Sequence, residues 1–210
     1  MNTSEKFVIT INRELGSGGR TIGRKLAERL NVKYYDKALA KELTEKFDLS
    51  VEKLEKVKSS KFNWWNELKE SYYILCTGVE AVDDNLTVPT TYNIFKVESQ
   101  FLERLAEEES CVIAGRSGFF IFRHHPNSLK IFIQSTAEKR IQRVMEKQGL
   151  SESEAKKVID KVDKGREKYT QEFSGTSRYD ARNYDLVLNI ADMTEDDAVE
   201  LILDYIKRKK

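Results

Sequence analysis

A glycine-rich segment near the start of the chain has the residue types that hold phosphate groups. It runs from Asn12 to Thr21 and contains three glycines and two arginines. Glycines let the backbone turn tightly and direct its N–H groups inward, and guanidinium groups bind phosphate oxygens in pairs. The hydroxyl of Thr21 can serve as a ligand to magnesium. The segment therefore predicts an anion site formed by Arg13, Gly16, Ser17, Gly18, Gly19, Arg20 and Thr21.

This loop departs from the phosphate-loop pattern GxxxxGK[ST]. When the preceding strand is aligned without gaps, the lysine position holds Gly19, and Arg20 follows one step later. Arg20 or Arg13 could supply the missing charge, and the sequence leaves both open. The alternative interpretation is an ordinary glycine turn between a strand and a helix.

The hydrophobic pattern around the loop predicts a strand before it and a helix after it. Residues 7–11 are a β-rich run, and Ile22, Leu26 and Leu30 recur at helical spacing. Strands that alternate with helices indicate a parallel sheet with right-handed crossovers. We therefore expect an α/β fold with a parallel sheet of about five strands and helices on both faces. The further predicted strands are 33–36, 110–114, 129–133 and 185–190.

Other segments are predicted to be helical. The stretch 136–172 is rich in Lys, Glu and Arg and is interrupted near Gly149. The last helix is expected to begin after Thr194, which has the residue type of an N-cap. Helices are also predicted at 39–47, 48–75 and 94–109.

Length, charge and cysteine content exclude several classes of protein. A chain of 210 residues with net charge +1 suits one domain and has no global attraction to a nucleic acid polymer. Cys76 and Cys111 are isolated, which argues against a disulfide framework or a zinc site, and the adjacent histidines 124 and 125 lack metal-binding partners. No apolar run approaches roughly 18 residues, and no signal core is present. We therefore expect a cytoplasmic protein that does not bind membranes.

Five segments, in order, resemble the cytidylate kinase-like family, a branch of the P-loop nucleoside monophosphate kinases. They are ITINRELGSGGRTIGRKLAERLNVKYYDK, VIAGRSG, LKIFIQSTAEKRIQRV, DKVDKGREKY and NYDLVLN. The resemblance implies one three-layer P-loop kinase-type domain that includes a helical acceptor-binding insert and a lid. In this scheme the core is 5–48, 93–135 and 183–208, the insert is about 49–92, and the lid is about 136–182.

The resemblance also implies an activity. The family transfers the γ-phosphoryl group of ATP to a nucleoside monophosphate with Mg²⁺, mainly by positioning and charge neutralisation. A small-molecule nucleotide is then the expected partner, and ATP and Mg²⁺ are the expected cofactors. Carried over by position, the catalytic residues are Arg20, Arg140 and Arg143, and Thr21 binds the metal. The acceptor-binding residues are Asp36, Arg116, Asp163 and Arg166, with Asp163 either binding the acceptor's sugar or orienting Arg166.

The chain differs from authentic cytidylate kinases in ways that leave its acceptor open. Only Asp36 of their usual Asp-Ser/Thr-Gly-Ala run is present, and Ala114 stands where a carboxylate is usual. Trp64, Trp65, Tyr72 and Tyr73 either stack on a base or pack the insert against its own domain. Besides an active nucleotide kinase, the sequence permits a non-catalytic nucleotide sensor or a kinase with a non-nucleotide acceptor.

Overall fold

The computed structural model describes residues 1–36, 99, 102–103 and 105–209. The chain divides into two compact units, and nearly all of the described residues belong to the one that comprises Met1–Tyr35 and Leu102–Lys210. Its strands are β1 (Val8–Arg13), β2 (Lys33–Tyr35), β3 (Cys111–Ala114), β4 (Ser128–Gln134) and β5 (Leu186–Asn189). Its helices are α1 (Gly19–Leu30), α2 (Gly118–Ile121), α3 (Ala137–Gln148), α4 (Glu152–Ser174) and α5 (Glu195–Arg208), with a 3-10 turn at Ala181–Asn183.

The five strands form one sheet in the order β2-β3-β1-β4-β5, and every neighbouring pair is parallel. The central strand β1 pairs Ile11 with Ala114 of β3 and Arg13 with Ile133 of β4. The carboxyl ends of the strands therefore meet along one edge, where ligands bind in open α/β sheets. This arrangement confirms the predicted α/β fold.

Successive residues of β1 show that helices cover both faces of the sheet. Side chains alternate between the two faces of a strand. Ile11 contacts Gly23 of α1, whereas its neighbour Thr10 contacts Gly118 of α2. The larger core lies on the α1 face, where apolar residues of α1, α5 and three of the strands are almost fully buried. This packing holds β1 and α1 rigidly on either side of the glycine loop.

The long charged stretch after β4 forms two helices, as predicted, with Gly149 between them in the left-handed conformation that ends a helix. The last helix has Thr194 as its N-cap, in a capping box with Asp197. The short helix α2 and the 3-10 turn were not predicted. No helix in the described ranges is long and apolar enough to cross a membrane.

Several predictions fall on residues outside the described ranges. They are the helices at 39–47 and 48–75, the insert at about 49–92, the aromatic residues Trp64, Trp65, Tyr72 and Tyr73, and Cys76. Of the predicted helix at 94–109, residues 99, 102–103 and 105–108 are helical. Cys111 is a buried free thiol.

Candidate functional site

The glycine loop connects the end of β1 to the start of α1 at the carboxyl edge of the sheet. Gly16 and Gly18 both have positive φ, +84° and +80°, which glycine adopts without steric cost. The Ser17 hydroxyl donates to the carbonyl of Glu14 at 3.0 Å and closes the turn. The N-cap position of α1 is Gly18, so the first N–H groups of a twelve-residue helix have no side-chain cap. Free N–H groups at a helix N-terminus bind anions.

The loop lies in direct contact with the first turn of α3. A Cβ on Gly16 would stand 2.6 Å from the carbonyl oxygen of Arg140 and 3.0 Å from its Cα. Both atoms belong to the backbone, so neither can swing away. The absence of a side chain at Gly16 therefore sets how closely the loop and α3 approach each other.

Replacing Gly16 by alanine should lower the free energy of unfolding by about 2–4 kcal/mol. The positive φ costs about 1 kcal/mol, and forcing a methyl group into the contact with Arg140 adds about 1–3 kcal/mol. Gly149→Ala is the matched control, because Gly149 has φ +66° and no atom within 4 Å of the Cβ site. Urea denaturation of both variants measures the difference. Equal losses would contradict the close approach at Gly16.

Arg140 joins three parts of the site through its guanidinium group. Its Nε donates to the carbonyl of Leu15 at 2.8 Å, its Nη1 lies 3.1 Å from Glu14 Oε1, and its Nη2 contacts Asp163. The side chains of Arg140, Glu14 and Asp163 are 12%, 15% and 9% exposed. All three guanidinium nitrogens of Arg140, predicted as a catalytic residue, thus have partners within the protein.

Arg143 lies one turn further along α3 and contacts a different acidic residue. Its Nη2 pairs with Glu195 Oε1 at 2.5 Å, and this hydrogen bond lowers the pKa of Glu195 although burial opposes it. Its Nη1 lies 2.6 Å from the site of a Cβ on Gly18. That Nη1 is buried and makes no hydrogen bond within the part of the chain described. A buried cationic donor without a partner, directed at a glycine loop, is suited to an anion.

Asp163 on α4 is the acidic centre of the site and is 7% exposed. It accepts a hydrogen bond from the Leu15 N–H at 3.0 Å and contacts Arg140. It also lies 3.3 Å from Arg166 Nη1 and 3.5 Å from Arg178 Nη1. Of the two roles predicted for Asp163, these contacts favour the orientation of arginines.

Among the described residues, more guanidinium groups than carboxylates lie around Asp163. Arg166 and Arg178 both donate to the carbonyl of Arg13, Arg166 at 3.2 Å. Burial, followed by the charge of Arg166, lowers the pKa of Arg13 to about 9. Burial, followed by the charge of Arg178, lowers the pKa of Arg166 to about 10. A lowered arginine pKa means that positive charge is disfavoured here, so a bound anion is favoured.

The turn after β3 holds three successive residues in the left-handed region. Gly115, Arg116 and Ser117 have φ of +89°, +58° and +50°. Non-glycine residues rarely adopt this conformation, and such strain is concentrated at functional sites. Arg116, a predicted acceptor-binding residue, is half-buried. The buried hydroxyl of Ser117 lies 3.4 Å from that of Thr170 on α4.

The remaining predicted residues lie at the same edge of the sheet. Arg20 is exposed on the second residue of α1, and Thr21 is half-buried beside it. Asp36 directly follows β2 and is 7% exposed.

Three residues at the site were not singled out from the sequence. Glu14 pairs with Arg140, and Arg178 is 2% exposed. Tyr184 accepts from Asn12 at 3.0 Å and donates to the Arg178 carbonyl at 2.7 Å, and burial raises its pKa. Glu14 could have been found from its place inside the loop. No spacing pattern in the sequence indicates a role for Arg178 or Tyr184.

The side chains present suit a metal ion that arrives with a nucleotide. No cluster of three or more His, Cys, Asp or Glu side chains that could hold a metal occurs among the residues described. Glu14 in the loop and Asp163 beside it are both paired with Arg140. The hydroxyl of Thr21 fits a magnesium ion whose other ligands are phosphate oxygens and water.

Comparison with known proteins shows the family of the chain. A model of the cytidylate kinase-like family matches residues 8–192. A cytidylate kinase of Methanopyrus kandleri is 25% identical over 95% of this chain and 92% of its own length. A cytidylate kinase of Sulfolobus acidocaldarius is 21% identical over 96% of this chain and 94% of its own.

Solved structures agree on the fold. An uncharacterized protein from Eubacterium ventriosum superposes with a TM-score of 0.68 at 26% identity, over 97% of this chain and 99% of its own. A gluconokinase from Sinorhizobium meliloti superposes with a TM-score of 0.54 at 13% identity, over 97% and 93%. The sheet and helices are therefore those of the small P-loop kinases, and the chain belongs to the cytidylate kinase-like family.

Proposed function

We propose that the protein transfers the γ-phosphoryl group of ATP to a nucleoside monophosphate. The observation that carries this proposal is the buried Nη1 of Arg143 against Gly18, which has no hydrogen-bond partner among the residues that the structure describes. The excess of guanidinium groups around the loop supports it, because phosphoryl transfer is catalysed mainly by positioning and charge neutralisation. Family membership supports the nucleotide as acceptor.

The donor side of the proposed site is formed by the loop and the lid. The N–H groups of residues 16–19 and the start of α1 bind the phosphates of ATP. Arg143 donates a hydrogen bond from Nη1 to these phosphates. The exposed Arg20 adds positive charge at the edge of the site. Arg140 holds the loop, α3 and α4 in place. In this proposal residues 136–182 act as the lid.

The acceptor side is formed by Asp36, Arg116 and Arg166, with Asp163 orienting Arg166. Arg166 binds the phosphate of the acceptor, and Arg116 binds its base or its phosphate.

The reaction needs little from the protein beyond this arrangement. The bond between the γ-phosphorus and the β–γ bridging oxygen breaks, and its electron pair leaves with ADP. A phosphate oxygen of the acceptor forms the new bond to phosphorus. A magnesium ion held by Thr21 and the nucleotide neutralises charge on the phosphates when bound.

Release of ADP from ATP and Mg²⁺ in the presence of single nucleoside monophosphates tests the proposal. Turnover that depends on the acceptor is expected. Arg143→Ala should then reduce kcat/KM on the order of 10²-fold, the typical loss for one preorganised donor. Arg208→Ala is the control, because Arg208 is exposed and pairs only with Asp204 within the described residues.

Two results would contradict the proposal. Full turnover by Arg143→Ala would remove that residue from the donor site. Absence of turnover with every nucleotide, while ATP still raises the Tm, would favour a nucleotide sensor or a kinase with a different acceptor.

A further inference from the structure

We propose that Arg13 supplies the cation that phosphate loops ordinarily carry at the Gly19 position, and that it contacts the transferring phosphoryl group. This inference rests on the proposed function and concerns the same site. It assigns the missing lysine's role to a residue at the opposite end of the loop.

The first support is steric. A Cβ on Gly19 would stand 2.6 Å from the Cβ of Arg13 and 3.0 Å from its Cγ. The side chain of Arg13 thus passes over Gly19, in the space that a side chain at position 19 would need. In the pattern GxxxxGK[ST] the position of Arg13 is a glycine and that of Gly19 is a lysine. The two departures fit each other, because the missing side chain at Gly19 leaves the space that the Arg13 side chain occupies.

The second support is the position of the guanidinium group. Nη1 of Arg13 lies against Gly115, and its Cζ lies 3.4 Å from the Cβ site of that glycine. Arg13 ends β1 and Gly115 follows β3, and these two strands are neighbours. The guanidinium group therefore spans the carboxyl ends of two adjacent strands, where a ligand of this fold binds.

The third support is the charge around Arg13. No carboxylate lies within ion-pair distance of Arg13 in the described ranges. Arg166 and Arg178 fix its backbone through the carbonyl oxygen, but they add positive charge. A cation that has no counter-ion in the described part of the chain is preorganised for a ligand with several negative charges. Phosphoryl groups in transfer have that charge, since three oxygens share it.

An exchange of the two residues provides the sharpest test. The variants are Arg13→Gly, Gly19→Lys and the double variant Arg13→Gly/Gly19→Lys, which restores the usual pattern. Each single variant should lose kcat/KM on the order of 10²-fold. Arg13→Gly lacks the cation, and in Gly19→Lys the new side chain collides with Arg13. The double variant should recover at least tenfold over either single variant.

Turnover of these variants can overturn the inference about Arg13. Unchanged turnover in Arg13→Gly, or a double variant no better than the two single variants, would overturn the inference. Thermal unfolding without ligand checks that each variant is folded. If Arg13→Gly does not fold, Arg13→Lys serves in its place. It should retain more turnover than Arg13→Gln, and equal turnover in the two would also overturn the inference.

A binding measurement keeps this inference distinct from the proposed function. Calorimetric titration with tripolyphosphate should show at least tenfold weaker binding to Arg13→Gln than to the unchanged protein, and no change for Arg208→Ala. If the unchanged protein transfers no phosphoryl group but Arg13→Gln still weakens binding, the proposed function fails and Arg13 remains a phosphate ligand. If binding is unchanged, the inference about Arg13 fails.

Discussion

Replacing Asp163 by asparagine should lower the free energy of unfolding by about 3 kcal/mol. The substitution keeps the volume of the side chain but removes the one carboxylate that Arg140, Arg166 and Arg178 share. Asp163 is 7% exposed, so water cannot replace the lost charge. The guanidinium groups then repel each other in a region that already lowers the pKa of Arg166 to about 10.

The same substitution should make the protein more responsive to anions. A ligand that binds only the folded state stabilises it more when it binds more tightly. Phosphate or ATP should therefore raise the Tm of Asp163→Asn more than that of the unchanged protein. Asp204→Asn is the control, because its pair with Arg208 is exposed and contributes little. A loss below about 1 kcal/mol would show that Asp163 does not hold the cluster together.

Replacing Arg140 by alanine should also lower the free energy of unfolding by about 3 kcal/mol or more. The change leaves Glu14 without its ion-pair partner, takes one partner from Asp163 and removes the hydrogen bond to the Leu15 carbonyl. Arg143→Ala should cost much less stability, because Arg143 has a single ion pair within the described ranges. Urea denaturation of both variants makes the comparison, since they lie one turn apart on the same helix.

A double variant tests whether Arg140 acts through Asp163. Arg140→Ala/Asp163→Asn should lose less stability than the sum of the two single losses, because each change removes part of the same interaction. Strict additivity would contradict the network. If Arg140→Ala and Arg143→Ala cost equal stability, the structural distinction between the two arginines would be wrong.

The strands and most of the described helices could be predicted because their signals are local. Ile22 and Leu26 recur at the period of a helix, and Thr194 precedes α5 with the chemistry of an N-cap. Such patterns need only neighbouring residues. The short helix α2 escaped prediction because its four residues are too few to show a period.

The contacts of the site could be predicted only in part. The glycine loop could be recognised because its glycines lie close together in the sequence. Arg140 and Arg143 were found by family resemblance. Arg178 is separated from the Arg13 carbonyl it binds by 165 residues, and no spacing encodes that contact. The packing of Arg13 over Gly19 likewise depends on the curvature of the loop, so the sequence left open which arginine replaces the lysine.

The left-handed turn after β3 bears on how this chain balances thermal stability against function. Glycine at positions 116 and 117 would relieve about 1 kcal/mol of backbone strain at each. The chain instead has an arginine and a buried serine there, so its sequence is not optimised for stability at this turn. Natural proteins accept such local losses where a side chain must be held in one place. Engineering for thermostability would therefore favour glycine at these two positions. The same substitutions would remove the two side chains that the turn holds in place.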